Sequence, residues 1–544
     1  VTHQLTMKFH GAAGTVTGSC MELALGARSI LVDCGLFQGS RSLEALNLGS
    51  FGFDPRRIDA VILTHAHIDH CGLLPKLAAQ GYEGAIWCTQ ATSDLLEFML
   101  ADAGRIQEYE AERRNRRRDR AGDALFEPLY TEEDAISAWR LSRPVALGNW
   151  FEPAPGFKAR LWNAGHILGS ASVELYAGGA HILLSGDLGP DNKAFHADPA
   201  APKGLDHVVC ESTYGNRARE KLTIDERRAQ LEGVVKEAIA RGGNLVIPSF
   251  ALERTQELLL DLARLSDANR IPNVPIFVDP PLASRAIKVF SSHIDEMEDV
   301  DGRDIFRHPS IRYVEDSLES MRLNTVSGAI ILAASGMCEA GRIRHHLKHN
   351  LFRRESTVLF VGFQAEGTLG RVILDGAQRV RISGEDVNVR AQIRRIDSYS
   401  AHADRDELHD WIRDRGKLGG SLFLSHGEGQ AVEGLRALVQ GDDPAASVIA
   451  PQMGERFALP PGAPAKRLET GRVDLNQLAG EDWQNDYADF ITNLKRNLYS
   501  IKSARARREA LDDMRRVLDS YNALREERKA RASAGAKPSG RQER

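Results

Sequence analysis

No run of apolar residues in this 544-residue chain is long enough to cross a bilayer, so no membrane-spanning helix is expected. The first residues, "VTHQLTMKFHGAAGT", hold no apolar signal core, which points to a cytoplasmic protein. Cysteine is scarce. The six are scattered at Cys20, Cys34, Cys71, Cys88, Cys210 and Cys338, with no C-x-x-C pair. That argues against a disulfide framework or a cysteine zinc site and fits a reducing compartment. Excess charge is small as well, with a net of −5, so a polyanion must be met by local basic patches. There are no internal repeats. What remains is an ordinary globular composition, 42% hydrophobic and 27% charged, in a chain too long for one core.

Up to residue 212, short apolar runs alternate with glycine-rich turns. "MELAL", "SILVDCG", "DAVILTH", "GAIWCT", "FKARLWNAGH", "ASVELYAG", "AHILLSGD" and "DHVVCEST" read as strands. "GLLPKLAAQGY" and "ATSDLLEFMLADAGRI" read as helices. Over 213–390 the rhythm changes to strands alternating with helices of ten or more residues, the pattern of a parallel α/β sheet. The shorter rhythm returns over 391–460, so the middle segment is an insertion. Residues 461–544 form a linker and a basic tail, in which Leu511, Met514, Leu518, Tyr521 and Leu524 fall at helical spacing. The last dozen residues are expected to be disordered.

The chemistry gathers in "LTHAHIDHCG", Leu63 to Gly72. Neutral imidazole and carboxylate suit zinc-like ions. His65 and His67 lie two apart on an extended segment and can face one side. Asp69 and His70 can serve a neighbouring position. Such a cluster needs distant partners, and three candidates end strands ahead of a glycine: His166 in "NAGHILGS", Asp187 in "LLSGDLG" and His426 in "FLSHGEG". Each alone reads equally well as a turn residue. A carboxylate such as Asp187 can bridge two ions.

The H-x-H-x-D-H cluster, with an isolated His and then Asp downstream, resembles the metallo-β-lactamase superfamily. The insertion, "CESTYG", "SYSAHAD" and "LFLSHGE" resemble its β-CASP branch, the nucleases of RNA processing. Bacterial β-CASP ribonucleases and the endonuclease of pre-mRNA 3′ ends are especially similar. The resemblance runs from about residue 7 to 455. It implies an α/β fold: an αββα sandwich (1–212 and 391–460), an inserted β-CASP domain (213–390) and a helical, charged tail. It also implies two zinc ions, with manganese as the alternative. His65, His67 and His166 would hold one, and Asp69, His70 and His426 the other, with Asp187 bridging. Asp33 of "LVDCG" would orient ligands from behind, although a turn carboxylate is the bland reading.

The implied reaction is RNA phosphodiester hydrolysis by a water that two metals acidify. Asp69, Glu211 and His402 are the expected catalytic residues. His402 would protonate the leaving oxygen, and Glu211 beside it would raise its pKa. An N-cap role before "RDELHDW" is the plain alternative for His402. Branch members that cut RNA carry His at the position of His426, whereas DNA-repair members carry Val, so RNA is the expected substrate. Family members are often dimers, and a homodimer is one expectation. The rival readings are a non-catalytic RNA-binding subunit, a DNA nuclease and a small-molecule hydrolase.

Three further features are weaker. "AASGMCEAGRIRHH" follows a strand and is expected to open a helix, where Ser335 and Gly336 would hold a substrate phosphate. His345 and His349 lack an H-E-x-x-H glutamate and read as surface residues. "ERRNRRRDR" (112–120) is either a phosphate contact or a solvated helix face.

Overall fold

Alternation within the strands sets the layers. In Arg28–Val32, Ile30 and Val32 oppose Leu31, and in Ala60–Ile62 the two ends oppose Val61. All six are fully buried, so this sheet is covered on both faces. Ile30, Val32, Ala60 and Ile62 meet Ile182, Leu184, Val209 and Phe423 of a second sheet. Leu31 and Val61 face the helices that carry Leu74, Leu77 and Leu95. On the far side of the second sheet, Leu183, Val208 and Leu422 meet Leu408, Trp411 and Leu435. The result is helix, sheet, sheet, helix: an αββα sandwich.

A computed structural model describes residues 4–118, 125–279, 281–300, 302–362, 364, 368–471, 494, 497–498 and 500–534. Among these, the first sheet has eight strands, with Thr6–Phe9, Met21–Leu25, Arg28–Val32, Ala60–Ile62 and Ala85–Cys88 adjacent in that order. The second has seven, in which Ser421–Ser425, His207–Glu211, Ala180–Leu184, Ala171–Ala177 and Phe157–Asn163 are neighbours. Its parallel pair Glu211↔Ser425 joins chain from either side of the insertion.

The third sheet is six-stranded and wholly parallel among the described residues, ordered Ile311–Tyr313, Ile276–Val278, Ile330–Ala333, Leu245–Pro248, Thr357–Val361 and Gln392–Ile396. The helix Arg254–Asp267 packs beside it with nearly every residue buried. The last strand, Gln392–Ile396, lies past residue 390 and still pairs with Thr357–Val361.

Three local expectations change. "ATSDLLEFMLADAGRI" and the charge run after it form one helix, Gln90–Arg118. Arg113, Arg114 and Arg116 of that run are exposed, while residues 119 and 120 lie outside the described residues. The turn after Ile330–Ala333 does not open directly into a helix, since the next one begins at Ile343. His345 and His349 are half-buried rather than surface residues, their rings 4.6 Å apart and His345 Nε2 at 2.9 Å from Asn324 Nδ2.

Trp483–Arg544 form a second compact unit. Its helix spans Ala504–Ala534, and Leu511 on it is exposed. The side chains of Leu518, Tyr521 and Leu524, and residues 535–544 of the expected disordered terminus, lie outside the described residues.

Candidate metal centre

Six of the candidate side chains stand at or just past the C-terminal end of a strand, while Asp69 and His70 lie on the short helix Ile68–Cys71. Asp33 follows Arg28–Val32, His65 follows Ala60–Ile62, His166 follows Phe157–Asn163, Asp187 follows Ala180–Leu184, Glu211 ends His207–Glu211, and His426 follows Ser421–Ser425. Asp33 and His426 adopt left-handed backbone, φ +63° and +50°, a conformation uncommon outside glycine. The loops carrying His166 and Asp187 pass so closely that a Cβ on Gly189 would sit 1.8 Å from Gly165 O. Only glycine fits there.

Three ring nitrogens converge. His67 Nδ1 lies 3.1 Å from both His65 Nε2 and His166 Nε2. A second group forms where His70 Nε2 is 3.2 Å from His426 Nε2, with Asp69 Oδ2 at 3.6 Å from the latter nitrogen. Asp187 lies between the groups. Its Oδ2 is 3.6 Å from His65 Nε2 and 3.7 Å from His166 Nε2. Its Oδ1 is 3.3 Å from His70 Nε2 and 3.5 Å from His426 Nδ1.

The other ring nitrogens are anchored. His70 Nδ1 donates to Asp33 Oδ2 at 2.7 Å, and His166 Nδ1 donates to Ala401 O at 2.8 Å. Both bonds turn Nε2 into the site. Asp33 is itself fixed by Ser19 Oγ at 2.9 Å and by the Thr64 amide at 2.9 Å.

Burial lowers the pKa of His65 and His166 well below the ordinary imidazole value and that of His67 to about 4. All three therefore stay neutral, as metal ligands must. At His70 burial works the same way, yet the Asp187 and Asp33 carboxylates outweigh it and hold the pKa well above normal. This half of the site attracts positive charge. Asp187 Oδ1 is buried without a hydrogen-bond partner, which is costly unless a cation completes it. Converging nitrogen lone pairs, carboxylates and an orphaned oxygen are a donor set for a divalent metal.

His402 stands at the rim with its side chain one-fifth exposed. Its Nδ1 is 3.2 Å from Glu211 Oε1, a carboxylate that also accepts from the Leu188 amide at 2.6 Å. The N-cap before Arg405–Asp414 is Asp404, whose side chain accepts from the amides of Asp406 and Glu407. His402 is thus not the cap. A groove of about 1150 Å³ opens beside it, lined by Tyr214, Arg217, Arg219, Lys221 and Ser400 among others; the Tyr214 ring is 5.7 Å from that of His402.

The sequence matches the metallo-beta-lactamase superfamily over 13–272, the Beta-Casp domain over 255–373, and the Zn-dependent metallo-hydrolase RNA specificity domain over 386–451. It is 37% identical over 436 residues to Ribonuclease TTHA0252 of Thermus thermophilus, covering 79% of this chain and 94% of that protein. The chain belongs to the metallo-β-lactamase superfamily, in its β-CASP branch. Within it, the chain is also 29% identical to Transcription termination factor FttA of Methanosarcina mazei, across 79% of this chain and 68% of that one. An RNase J-like protein of Methanocaldococcus jannaschii is 29% identical, across 78% and 92%. The fold is that of a β-CASP protein and the chain is a metal-dependent hydrolase.

Ser335 and Gly336 lie in this β-CASP unit, in the turn after Ile330–Ala333. Ser335 Oγ is held by Ala340, whose amide donates to it at 3.3 Å, and Gly336 O accepts from Gln364 at 3.0 Å. Neither residue stands at a helix N-terminus, the next helix beginning at Ile343, so no helix dipole acts on an anion there.

Sequence reasoning passed over Glu253 and Arg254. In "LERTQELLLDLARL" they read as ordinary charges at a helix start. The signal available was an acid–base pair directly after a buried strand and turn.

Proposed function

We propose that this hydrolase cuts RNA phosphodiester bonds with two zinc ions, with manganese as a working substitute. His65, His67 and His166 would hold one ion and Asp69, His70 and His426 the other, with Asp187 lying between the two groups. When bound, the two ions supply a water of lowered pKa and positive charge for the phosphoryl oxygens. Asp33 fixes the His70 tautomer from behind. Asp69 sits beside His426 with its side chain about one-fifth exposed, where it would orient a water at the second group.

The observation that carries the reading is the His402–Glu211 pair, 3.2 Å apart at the rim of the metal cluster. Glu211 receives the Nδ1 proton and orients the ring, leaving Nε2 to donate a proton to the departing sugar oxygen. Hydrolysis that only needs a nucleophile has no use for this second machinery. RNA rather than DNA is supported by His426, by the match to an RNA specificity domain and by the ribonuclease relative. The groove beside His402 carries Arg217 and Lys221, which suit phosphates, alongside carboxylates such as Glu220 and Glu407. Ser335 and Gly336, in the turn after Ile330–Ala333, are proposed as phosphate contacts through hydroxyl and backbone groups and not through a helix terminus.

End-labelled RNA and DNA, incubated with the wild type and His67→Ala, test the assignment. RNA is cut by the wild type and not by the variant, and product length separates endonucleolytic from 5′-exonucleolytic cutting. DNA cleavage exceeding RNA cleavage would overturn the substrate. A cytoplasmic location fits six unpaired cysteines and the absence, among the described residues, of a helix long and apolar enough to cross a membrane. Homodimerisation rests on the resemblance alone and is read by light scattering.

A further inference from the structure

Glu253 belongs to the turn between Leu245–Pro248 and Arg254–Asp267, in the inserted unit. Its φ is +70° and its ψ −66°, and the Arg254 amide donates across it to Leu252 O at 3.0 Å. This is a γ-turn in its rare, strained form. Strain held by a non-glycine residue persists only where the surroundings over-determine it, and it marks functional segments. The two side chains at this turn explain what it does.

The Glu253 carboxylate is buried and crosses to the sandwich. Its Oε2 accepts from the Leu168 amide at 3.1 Å, two residues beyond His166. Its Oε1 meets Lys193 Nζ at 2.9 Å and His196 Nε2 at 2.6 Å. Lys193 in turn donates to His166 O. One carboxylate therefore holds the His166 loop directly at the Leu168 amide and, through Lys193, at the carbonyl of His166 itself.

Arg254 points the other way and is also buried. Its Nε donates to Tyr399 O at 3.0 Å and its Nη1 to Val361 O at 3.2 Å. Tyr399 lies three residues before His402, and the intervening Ala401 O is the acceptor that orients His166. The contacts close a circuit from Glu253 to the His166 loop, to Ala401, to Tyr399, to Arg254. A one-residue offset in the helix register would break both arms at once.

We infer that Glu253 and Arg254 are positioning residues, a clamp by which the inserted unit sets the His166 loop and the His402 loop against each other. The inference rests on the two-metal reading above. Neither residue touches the reacting atoms. The clamp makes metal ligation on the His166 side and proton donation by His402 depend on the inserted unit being seated.

The test uses the full chain and zinc. Glu253→Gln keeps the size and removes the charge, and Arg254→Lys keeps the charge and removes the planar fork. In chelator competition, Glu253→Gln weakens one of the two zinc ions by about 10–100-fold, as disturbed supports behind a ligand do. At saturating zinc, Arg254→Lys lowers kcat on RNA by a similar factor while KM stays within about two-fold. In His402→Ala, adding Arg254→Lys costs less than about two-fold more, because the donor it positions is gone. A merely structural role instead gives additive losses and a fall in melting temperature that tracks activity. Additivity, or folded variants whose zinc affinity and kcat both match the wild type, would overturn the clamp. A wild type that binds zinc but leaves RNA intact would sink the ribonuclease reading, and the competition assay would still decide on Glu253. Should Glu253→Gln not fold, Arg254→Lys and its cycle with His402→Ala carry the test.

Discussion

Asp33 Oδ2 accepts the Nδ1 proton of His70 at 2.7 Å, while Asp33 Oδ1 accepts from the Thr64 amide at 2.9 Å. Donors meet both oxygens, so an amide cannot replace the carboxylate without turning an NH₂ towards another N–H. Asp33→Asn is predicted to cost about 1–3 kcal/mol of stability and about 10–100-fold in zinc affinity. Thermal melting and zinc titration read the two effects. Unchanged zinc affinity would show that His70 needs no such support.

His402→Ala and Glu211→Gln are predicted to lose about 10²–10⁴-fold in kcat while retaining bound metal. Elemental analysis beside single-turnover cleavage separates the two quantities. Loss of metal from His402→Ala would make that residue a ligand instead of a proton donor.

Gly35 lies where the chain after Arg28–Val32 passes under the histidine segment. A Cβ there would stand 1.6 Å from Asp69 O, a backbone atom with nowhere to go. Gly35→Ala is predicted to cost more than the roughly 1–3 kcal/mol typical of overpacking, and to lose zinc with it. A variant that melts like the wild type and holds its metal would show that the segment moves freely.

His293 Nε2 lies 2.7 Å from Asp94 Oδ2, and its Nδ1 lies 2.9 Å from Glu296 Oε1. Burial lowers the pKa of this imidazole, but the two carboxylates outweigh burial and hold it above its ordinary value. A group raised on folding stabilises fully below its unfolded pKa, about 6.5. That contribution is lost as pH rises through the folded pKa. Urea midpoints in excess chelator are predicted to fall from about pH 6 to about pH 9 by more in the wild type than in His293→Gln. Equal falls would assign the stability elsewhere.

The histidine cluster was readable because its spacing is local: four donors in six positions need no knowledge of the fold. His166, Asp187 and His426 were readable only as strand ends before glycine, and their convergence became an expectation through the resemblance. The layers became an expectation through the resemblance as well, since an apolar run such as Ile30, Leu31 and Val32 fits a strand buried on both faces but also a buried helix segment. Other features depended on contacts distant in sequence. Gln392–Ile396 is a short polar strand whose membership is decided by its partner Thr357–Val361. The turn at Ser335 looked like a helix start because glycine and small residues serve both. Glu253 and Arg254 open a segment that reads as a helix, and nothing local shows that their partners come from residues 168, 193 and 399.

His166 Nδ1 finds its acceptor, Ala401 O, 235 residues further along the chain. At about 5–20 residues per second, the ribosome takes roughly ten to fifty seconds to deliver that carbonyl after His166 has emerged, and His426 comes later still. A half-made polypeptide consequently has neither an oriented His166 nor a completed second ligand set. On the proposed function, hydrolysis is expected only once the returning segment that carries Ala401 and His426 has docked.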